Sequence, residues 1–273
     1  MGERMLCRVS VLVFCLLGPV AGAGAETIRV GGTGAVTALI ERLAPAFEQA
    51  SPGDRIVVVP RLGSSGGIRA VSAGALDVAV ASRSLTADER ASGLNERLFL
   101  ETPLLFASDT ARPLSLTSQD VERIYAGERL SYEDSTLIRL ILRPRTDSQN
   151  LLLLRTSPGM EVAIGKARLR QDLQVAATDQ DNVEIAGATP GAFTAFALTQ
   201  MRTEPIRLKP VTLNGVEPTL EAMKSGAYPL KVRISWVGKG EAKPAVGRFI
   251  AFTGSPEGMA IIEKSGGLPA GQE

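Results

Sequence analysis

Short apolar runs alternate with amphipathic segments along the chain from Thr27 onwards, which is typical of an α/β fold. Strands are predicted at Thr27 to Gly31, Ile56 to Val59, Leu76 to Ala81 and Leu137 to Leu142. Apolar residues at a spacing of three or four, together with capping residues, predict helices at 36–47, 67–74, 118–125, 148–155, 159–170, 218–226 and 256–266. A further short helix is predicted after Thr86, because Glu89 completes a capping box.

Two proline-bearing segments, near 101–108 and 202–209, are candidates for crossings between two lobes. Residues 26–105 and 209–273 would then form lobe 1, and residues 106–208 would form lobe 2. Each lobe is expected to be a mixed sheet flanked by helices.

The first 25 residues predict a cleaved signal peptide. Arg4 and Arg8 precede an apolar stretch at 9–17 that is too short to span a bilayer, and the small residues up to Ala25 suit cleavage there. We therefore expect an exported, periplasmic protein.

Composition narrows the possible functions. The 30 Lys and Arg residues balance 29 Asp and Glu residues, and aromatic residues make up only 4%, so no nucleic-acid partner is expected. The chain has no His, and both cysteines, Cys7 and Cys15, lie in the signal segment. The usual ligands for zinc, copper or iron–sulfur clusters and the partners for Ser–His or Cys–His catalysis are therefore missing, so no metal, no cofactor and no enzyme activity are expected.

Three segments share the order strand, small polar turn, helix: 31–35, 63–67 and 146–150. Each would place free backbone N–H groups at a helix N-terminus, where the helix dipole also favours an anion. The alternative for each segment is a capped helix start without a ligand. The stretch at 63–67 argues more strongly for a ligand, since two glycines that open a helix cost about 1 kcal/mol each relative to alanine.

Two arginines follow predicted strands. Arg83 lies two residues after the end of the strand predicted at Leu76 to Ala81, and Arg143 follows Leu142. Ligands of open α/β sheets bind at the carboxyl ends of strands, and a guanidinium can hold an oxyanion through two parallel hydrogen bonds. The alternative for both is a surface arginine.

Gly63-x-Ser65-x-Gly67 also fits the nucleophile elbow of serine hydrolases. That chemistry needs a base beside the serine, and only a lysine could serve in a chain without His. A serine hydrolase using Ser65 stays as a remote alternative.

The segments 63–74 and 77–83 resemble the substrate-binding proteins of phosphate transport, in the phosphate-binding-protein-like branch of the type II periplasmic binding proteins. Further matches at 189–192, 214–219, 226–230, 249–258 and 267–269 extend the resemblance over nearly the whole mature chain, in family order. The resemblance implies the two-lobed type II fold, a dehydrated oxyanion in the interlobe cleft, and delivery to an inner-membrane ABC permease. By position it implies anion contacts from Thr33, Gly34, Ala35, Ser64, Ser65, Gly66, Ser148 and Gln149, with Arg143 as the charged clamp.

Two positions depart from the family pattern. Well-studied phosphate binders have an Asp where Arg83 stands, and it accepts the proton of hydrogen phosphate. Arg83 cannot accept, so either Asp147 substitutes for it or another oxyanion is bound. The third loop reads Ser148-Gln149-Asn150 where the family has Ser-Gly-Thr, which indicates either altered ligand preference or variation within the branch.

The sequence thus predicts reversible capture of phosphate or a related tetrahedral oxyanion for an ABC transporter. The alternative is a periplasmic module that reports ligand occupancy to a membrane sensor. A monomer is the expectation that the family resemblance carries.

Overall fold

One long mixed β-sheet forms the centre of the molecule, in a computed structural model that describes residues 26–271. The strands are β1 Thr27–Gly32, β2 Arg55–Val59, β3 Val78–Ala81, β4 Leu94–Ser108, β5 Ser115–Leu116, β6 Arg139–Leu142, β7 Gln174–Val175, β8 Ala192–Ala197, β9 Lys209–Pro210, β10 Thr212–Leu213, β11 Lys231–Lys239 and β12 Leu268–Pro269. The order across the main sheet is β2-β1-β3-β11-β4-β8-β6-β7, with β9 and β12 on β4, while β5 and β10 form a separate pair.

Helices flank this sheet. They are α1 Thr37–Ala50, α2 Gly63–Ser72, α3 Ala87–Ala91, α4 Ser118–Ala126, α5 Asn150–Leu153, α6 Met160–Ala167, α7 Asp179–Ala188, α8 Leu198–Thr203, α9 Leu220–Lys224, α10 Pro244–Thr253 and α11 Pro256–Lys264, and a single 3₁₀ turn, Gly34–Val36, precedes α1. The mixture of parallel and antiparallel strands under helices confirms the predicted fold class of the two-lobed type.

Strand directions bring the ends of several strands to one place. β1 runs parallel to β2 and β3 at one end of the sheet, and β6 runs parallel to β7 and β8 at the other end. The carboxyl ends of β1 to β3 therefore open on one side of a cleft, and those of β6 and β7 open on the other side.

The long strand β4 changes partners along its length. It pairs antiparallel with β11 from Leu94 to Pro103, and with β8 from Leu104 to Ser108. The segment near 101–108, predicted as a crossing between lobes, is therefore part of one continuous strand. Its one proline, Pro103, does not break the strand, because it lies where the strand passes from one partner to the next. The lobe limits themselves remain a prediction.

The core is apolar and partly aromatic. One face of α1 buries Leu39, Ile40, Leu43 and Phe47, as the spacing predicted. Phe47 meets Phe249 of α10 edge to face, with ring centroids 5.0 Å apart. Each such buried aromatic or branched side chain contributes about 1.5–3 kcal/mol through removal from water.

Several helix boundaries in the structure differ from the predicted ones. The helix predicted at 67–74 begins four residues earlier, at Gly63, and the one predicted at 148–155 shrinks to Asn150–Leu153. The capping box of Thr86 with Glu89 is confirmed. The predicted signal peptide lies outside the described residues, and within residues 26–271 no helix has both the length and the apolarity to cross a membrane.

Candidate functional site

A cavity of about 310 Å³ lies where the carboxyl ends of the strands converge. One wall comes from the segments after β1, β2 and β3, and the other wall comes from the segments after β6 and β7. Its lining is mainly polar: Thr33, Leu62, Gly63, Ser64, Ser65, Gly66, Arg69, Ser82, Arg83, Arg143, Pro144, Thr146, Asp147, Ser148, Gln149, Ala177, Thr178 and Asp179.

Four hydroxyl groups meet at the cavity wall around Ser82. The Ser82 Oγ lies 3.0 Å from the Ser64 Oγ and 2.7 Å from the Ser148 Oγ, and it donates to the Thr33 Oγ1 at 3.4 Å. The Ser82 backbone N–H donates to the Ser64 Oγ at 3.0 Å. Thr33, Ser64 and Ser82 follow β1, β2 and β3, whereas Ser148 follows β6, so this network joins the two walls of the cleft.

The wall segment that follows β2 is the first turn of α2. Leu62 precedes it without a side-chain cap, so the backbone N–H groups of the first turn lack an intrahelical partner. Those N–H groups belong to Gly63, Ser64 and Ser65, and the helix dipole adds partial positive charge there. Gly67 lets the helix lie close to the sheet, since a Cβ at this residue would come within 2.7 Å of the Gly32 Cα. The predicted glycine-rich turn is thus the start of a helix, and its first residues line the cavity.

The guanidinium of Arg83 donates most of its hydrogen bonds to other groups of the protein. Its Nη1 and Nη2 donate to the two Glu89 oxygens at 2.8 and 2.7 Å, and its Nε donates to the Ser65 Oγ at 3.2 Å. The hydrogen bonds from Arg83 lower the pKa of Glu89 to about 2, so the pair is ionised at neutral pH. Arg83 therefore positions Ser65, with its charge matched by Glu89.

Arg143 is buried, with its side chain 5% exposed, and faces two carboxylates. Its Nε and Nη2 donate to the Asp147 Oδ2 at 3.0 and 2.6 Å, its Nη2 also donates to the Asp179 Oδ1 at 3.0 Å, and its Nη1 donates to the Thr178 carbonyl. Four of its five N–H groups are then engaged, which leaves one for a ligand. Arg143, the predicted charged clamp, is therefore held in place by its protein partners and has fewer free N–H groups for a ligand than its position at the end of β6 suggested.

Asp147 makes its hydrogen bonds within the loop that follows β6. Its Oδ2 accepts both hydrogen bonds from Arg143, and its Oδ1 accepts from the Gln149 backbone N–H at 2.8 Å. Asp147 lines the cavity, but its oxygens are already committed to positioning Arg143 and Gln149.

Asp179, the first residue of α7, is a second carboxylate at the wall. Its Oδ2 accepts from the Thr33 hydroxyl at 3.3 Å, across the cleft from its own helix. Burial raises the pKa of Asp179, because desolvation outweighs the opposing effect of the Arg143 charge and the backbone N–H of Gly34.

The predicted site residues mostly come together. The structure brings nine of them to the cavity lining: Thr33, Ser64, Ser65, Gly66, Arg83, Arg143, Asp147, Ser148 and Gln149. The other two, Gly34 and Ala35, are buried behind Thr33 and do not line it. Gly34 packs instead against α7, where a Cβ would come within 2.6 Å of the Asp179 Cβ.

Sequence reasoning missed Arg69, Ser82, Thr178 and Asp179 as lining residues. Ser82 directly follows the β3 strand pattern, so its place at a strand end was a usable signal. Thr178 and Asp179 follow β7, which has only two residues and leaves no hydrophobic pattern to identify it as a strand.

Among residues 26–271, no side chain in hydrogen-bond contact with the Ser65 hydroxyl could act as a catalytic base. The side chain in contact with the Ser65 Oγ is the Arg83 guanidinium, which stays protonated and cannot accept a proton. Within residues 26–271 the cavity lining includes no lysine, the only base that the hydrolase alternative left open. Nor do these residues form a group of three acidic side chains that could hold a metal ion.

Together, the two-lobed α/β fold and the polar cavity of hydroxyls, helix N–H groups and carboxylate-paired arginines are features typical of proteins that bind a small anion. The family model of the PBP superfamily domain matches residues 19–257. The chain belongs to this superfamily.

Proteins that are similar to this chain in sequence or fold have names that refer to phosphate binding or phosphate transport. The curated phosphate-binding protein PstS of Borreliella burgdorferi is 24% identical over 256 residues, covering 89% of this chain and 90% of its own. A Clostridium perfringens structure with bound phosphate, provisionally assigned as a phosphate ABC transporter substrate-binding protein, superposes with a TM-score of 0.76 at 21% identity, over 90% of this chain and all of that one. The ABC-type phosphate transport receptor of Vibrio cholerae gives a TM-score of 0.60 at 18% identity, over 90% of this chain and all of the receptor.

Proposed function

We propose that this protein captures phosphate or a related tetrahedral oxyanion in the cavity and delivers it to a membrane ABC transporter. The observation that carries the proposal is the meeting of four hydroxyls, the open first turn of α2 and Arg143 around one small cavity. These groups supply hydrogen-bond donors directed from several sides, as a tetrahedral anion requires. The phosphate-binding names of the relatives support the same ligand class.

Both halves of the chain would contribute to binding. Lobe 1, residues 26–105 with 209–273, would present Thr33, Ser64 and Ser82, and lobe 2, residues 106–208, would present Arg143 and Ser148. Closure of the cleft would be stabilised because only the closed form makes all of these contacts to the ligand. No chemical step is part of the proposal.

Titration of the purified protein with phosphate, arsenate and sulfate tests the ligand class directly. Calorimetric heat and a ligand-dependent rise in melting temperature are expected for at least one of these anions. Absence of binding to all three would refute the proposal.

The Arg143→Ala variant tests the site. Removal of a charged donor and of the partner for two carboxylates is expected to weaken oxyanion binding at least about a hundredfold. Arg145→Ala is the matched control, because Arg145 is exposed and does not line the cavity. Equal affinities for the Arg143 variant and the wild type would remove this cavity from consideration.

Export follows from the N-terminal pattern and belongs to the same proposal. Expression of the full chain in a Gram-negative host should yield periplasmic protein whose mature N-terminus is Glu26 or within a few residues of it. Intact-mass measurement of the periplasmic fraction checks this. Uncleaved protein in the cytoplasm would contradict it.

A further inference from the structure

A second cavity, of about 720 Å³, lies at the opposite end of the strands from the oxyanion cavity, where β3 begins and β11 ends. It is more than twice as large as the oxyanion cavity, and the two cavities have no lining residue in common. Sites for organic ligands commonly have volumes of about 300–1,000 Å³. The second cavity can therefore hold an organic molecule and not only a small ion.

The inner surface of this cavity is apolar. Trp236 of β11 and Val78 of β3 line it from the sheet. Val246 and Ile250 line it from α10. The Trp236 ring packs against Phe99 with ring centroids 4.2 Å apart, and only 3% of the tryptophan is exposed. The part of a ligand that covers this surface is stabilised by removal of apolar area from water, so it should itself be apolar.

The rim of the cavity carries an excess of two positive charges. Its charged residues are four cations and two acids: Arg29, Arg97, Lys239 and Lys243, with Asp77 and Glu241. The Asp77 side chain is 3% exposed and pairs with Arg29 at 3.2 Å and with Lys243 at 2.8 Å. Burial raises the pKa of Asp77, but the hydrogen bonds from these two cations outweigh burial and lower this pKa to about 2. Asp77 is therefore ionised and holds both cations in place.

Arg97 has no protein partner for its guanidinium within the described part of the chain. It lies opposite Trp236 in the β4–β11 ladder, so both side chains project from the same face of the sheet. Lys239 donates to the uncharged Ser72 carbonyl at 2.7 Å, and its charge is not matched by an acid there. At the same cavity α10 begins without a side-chain cap, which leaves the Val246 backbone N–H without an intrahelical partner. Each of these groups favours an anion.

We propose that this cavity is a second ligand site, separate from the oxyanion cavity, for a small organic carboxylate with an apolar body. The carboxylate pairs with Arg97, whose planar guanidinium can hold it through two parallel hydrogen bonds. The apolar body lies on Trp236 and α10. The inference goes beyond the proposed function and does not rest on it, because the two cavities share no residue.

Other small ligands satisfy only one half of the lining. An inorganic oxyanion would meet the cations and leave the apolar inner surface uncovered. A neutral apolar molecule would cover that surface and leave Arg97 without a partner. A molecule that combines a carboxylate with an apolar body meets both requirements.

The fluorescence of Trp236 provides the measurement, because it is the only tryptophan of the chain and lies in this cavity. The purified protein is titrated with 4-phenylbutyrate and with octanoate, with the corresponding amides as neutral counterparts and acetate as a carboxylate without an apolar body. A saturable change is expected with both long carboxylates. The amides should bind at least about tenfold more weakly, because the charge-assisted hydrogen bonds are lost. Acetate should give no saturable change.

Two variants test the two halves of the site. Arg97→Ala should weaken 4-phenylbutyrate binding at least about tenfold and leave the affinity for its amide nearly unchanged. Arg233→Ala is the matched control, since Arg233 is an exposed arginine of β11 outside the lining. Gly247→Leu should abolish binding of both acid and amide by filling the cavity. A Cβ at Gly247 meets nothing within 4 Å, so this variant should keep its melting temperature within a few degrees.

Three outcomes would each overturn the second site. They are no fluorescence change with either long carboxylate, amides that bind as tightly as the acids, and an Arg97→Ala variant that binds 4-phenylbutyrate as tightly as Arg233→Ala does. Calorimetric titration of the same proteins with phosphate keeps the two sites apart, because Arg97→Ala should bind phosphate as the wild type does. Binding of 4-phenylbutyrate by a protein that binds none of phosphate, arsenate and sulfate would overturn the proposed function and support the second site.

Discussion

At the scale of single residues, Ser82 stands out through the number of groups that its hydroxyl contacts. It lies within hydrogen-bond distance of the hydroxyls of Thr33, Ser64 and Ser148. Only Ser148 among these comes from the opposite wall. Ser82 therefore orients three other hydroxyls of the cavity wall, and under the proposed function it is a further donor to the anion.

Ser82→Ala should weaken oxyanion binding about tenfold, because a neutral hydrogen bond contributes roughly 1 kcal/mol and the remaining hydroxyls lose their common partner. Calorimetry with phosphate measures the change. Ser84→Ala is the control, since Ser84 is exposed and does not line the cavity. An affinity loss no larger than that of the control would show that Ser82 is dispensable.

Glu204 makes stability depend on pH. Burial raises its pKa to about 7, well above the ordinary value of 4.5, while hydrogen bonds from Gln200 and Gln180 oppose the shift. A carboxyl group whose pKa is raised on folding stabilises the fold in its protonated form. The contribution of protonated Glu204 to the free energy of unfolding is fully present below about pH 4.5 and is lost as the pH rises towards about 7.

Glu204→Gln should therefore flatten the pH dependence between about 4.5 and 7 and raise the free energy of unfolding at pH 8 by roughly 1 kcal/mol, after allowance for partial exposure. Urea denaturation at pH 5 and pH 8 measures this. The exposed Glu263→Gln serves as control. If Glu204→Gln and wild type lose stability in parallel on going from pH 5 to pH 8, this assignment is wrong.

Residue by residue, the sequence predicted most of the cavity because the donors sit next to recognisable strand ends and helix starts. It could not predict that Glu89 and the two aspartates already pair with Arg83 and Arg143, because such pairing depends on how each loop folds back on itself and, for Asp179, on a segment 36 residues away. Gly34 and Ala35 were placed in the right loop, but the turn of that loop directs them into the interior.

At the scale of elements, the start of α2 is where the structure differs most clearly from the predicted helix. The prediction treated 63–67 as a small polar turn and began the helix at Gly67, whereas in the structure the helix begins at Gly63. Packing overrides the propensity: Gly67 lies against β1 and β3, where a Cβ would come within 3.3 Å of the Ala79 Cβ and closer still to Gly32.

Gly67→Ala should destabilise the protein by about 1–3 kcal/mol, although alanine is the better helix former, because the added methyl group lifts α2 from the sheet. Gly247→Ala in α10 is the matched control, since a Cβ there meets nothing within 4 Å, and it should be neutral or stabilising. Urea denaturation compares the two variants. A Gly67→Ala variant as stable as the control would contradict the packing argument.

The central strands were harder to predict than the outer ones. β1 and β2 carry clear β-branched runs, whereas β4 runs for 15 residues through charged and proline-bearing sequence. Its identity depends on partners, β11 and β8, that lie far away in the chain. Local pattern carries no information about such pairing.

At the scale of the whole molecule, the two sides of the cleft already touch at Gly34. The Gln180 side chain donates to the Gly34 carbonyl at 3.4 Å, and Arg61 pairs with Asp181 at 2.5 Å and also with Glu184. The N-terminus of α7 is therefore the part of the second half of the chain that contacts the loop after β1.

Gly34→Ala should separate these surfaces, because its Cβ would lie 2.6 Å from the Asp179 Cβ. Oxyanion affinity is expected to fall at least about tenfold while the melting temperature changes by only a few degrees, since the core of neither half is altered. Calorimetry and thermal denaturation measure both. Gly187→Ala, on the open side of α7, is the control, and equal affinities in the two variants would refute the contact as a requirement for binding.

The strand β4 has a consequence for folding as well. Because one continuous strand pairs with β11 through Pro103 and with β8 from Leu104, neither half of the sheet is complete without it. A fragment cut on either side would expose unpaired strand edges and be prone to aggregate. Chemical denaturation of the intact chain should accordingly show a single transition by both circular dichroism and Trp236 fluorescence, with no intermediate in which one half persists alone.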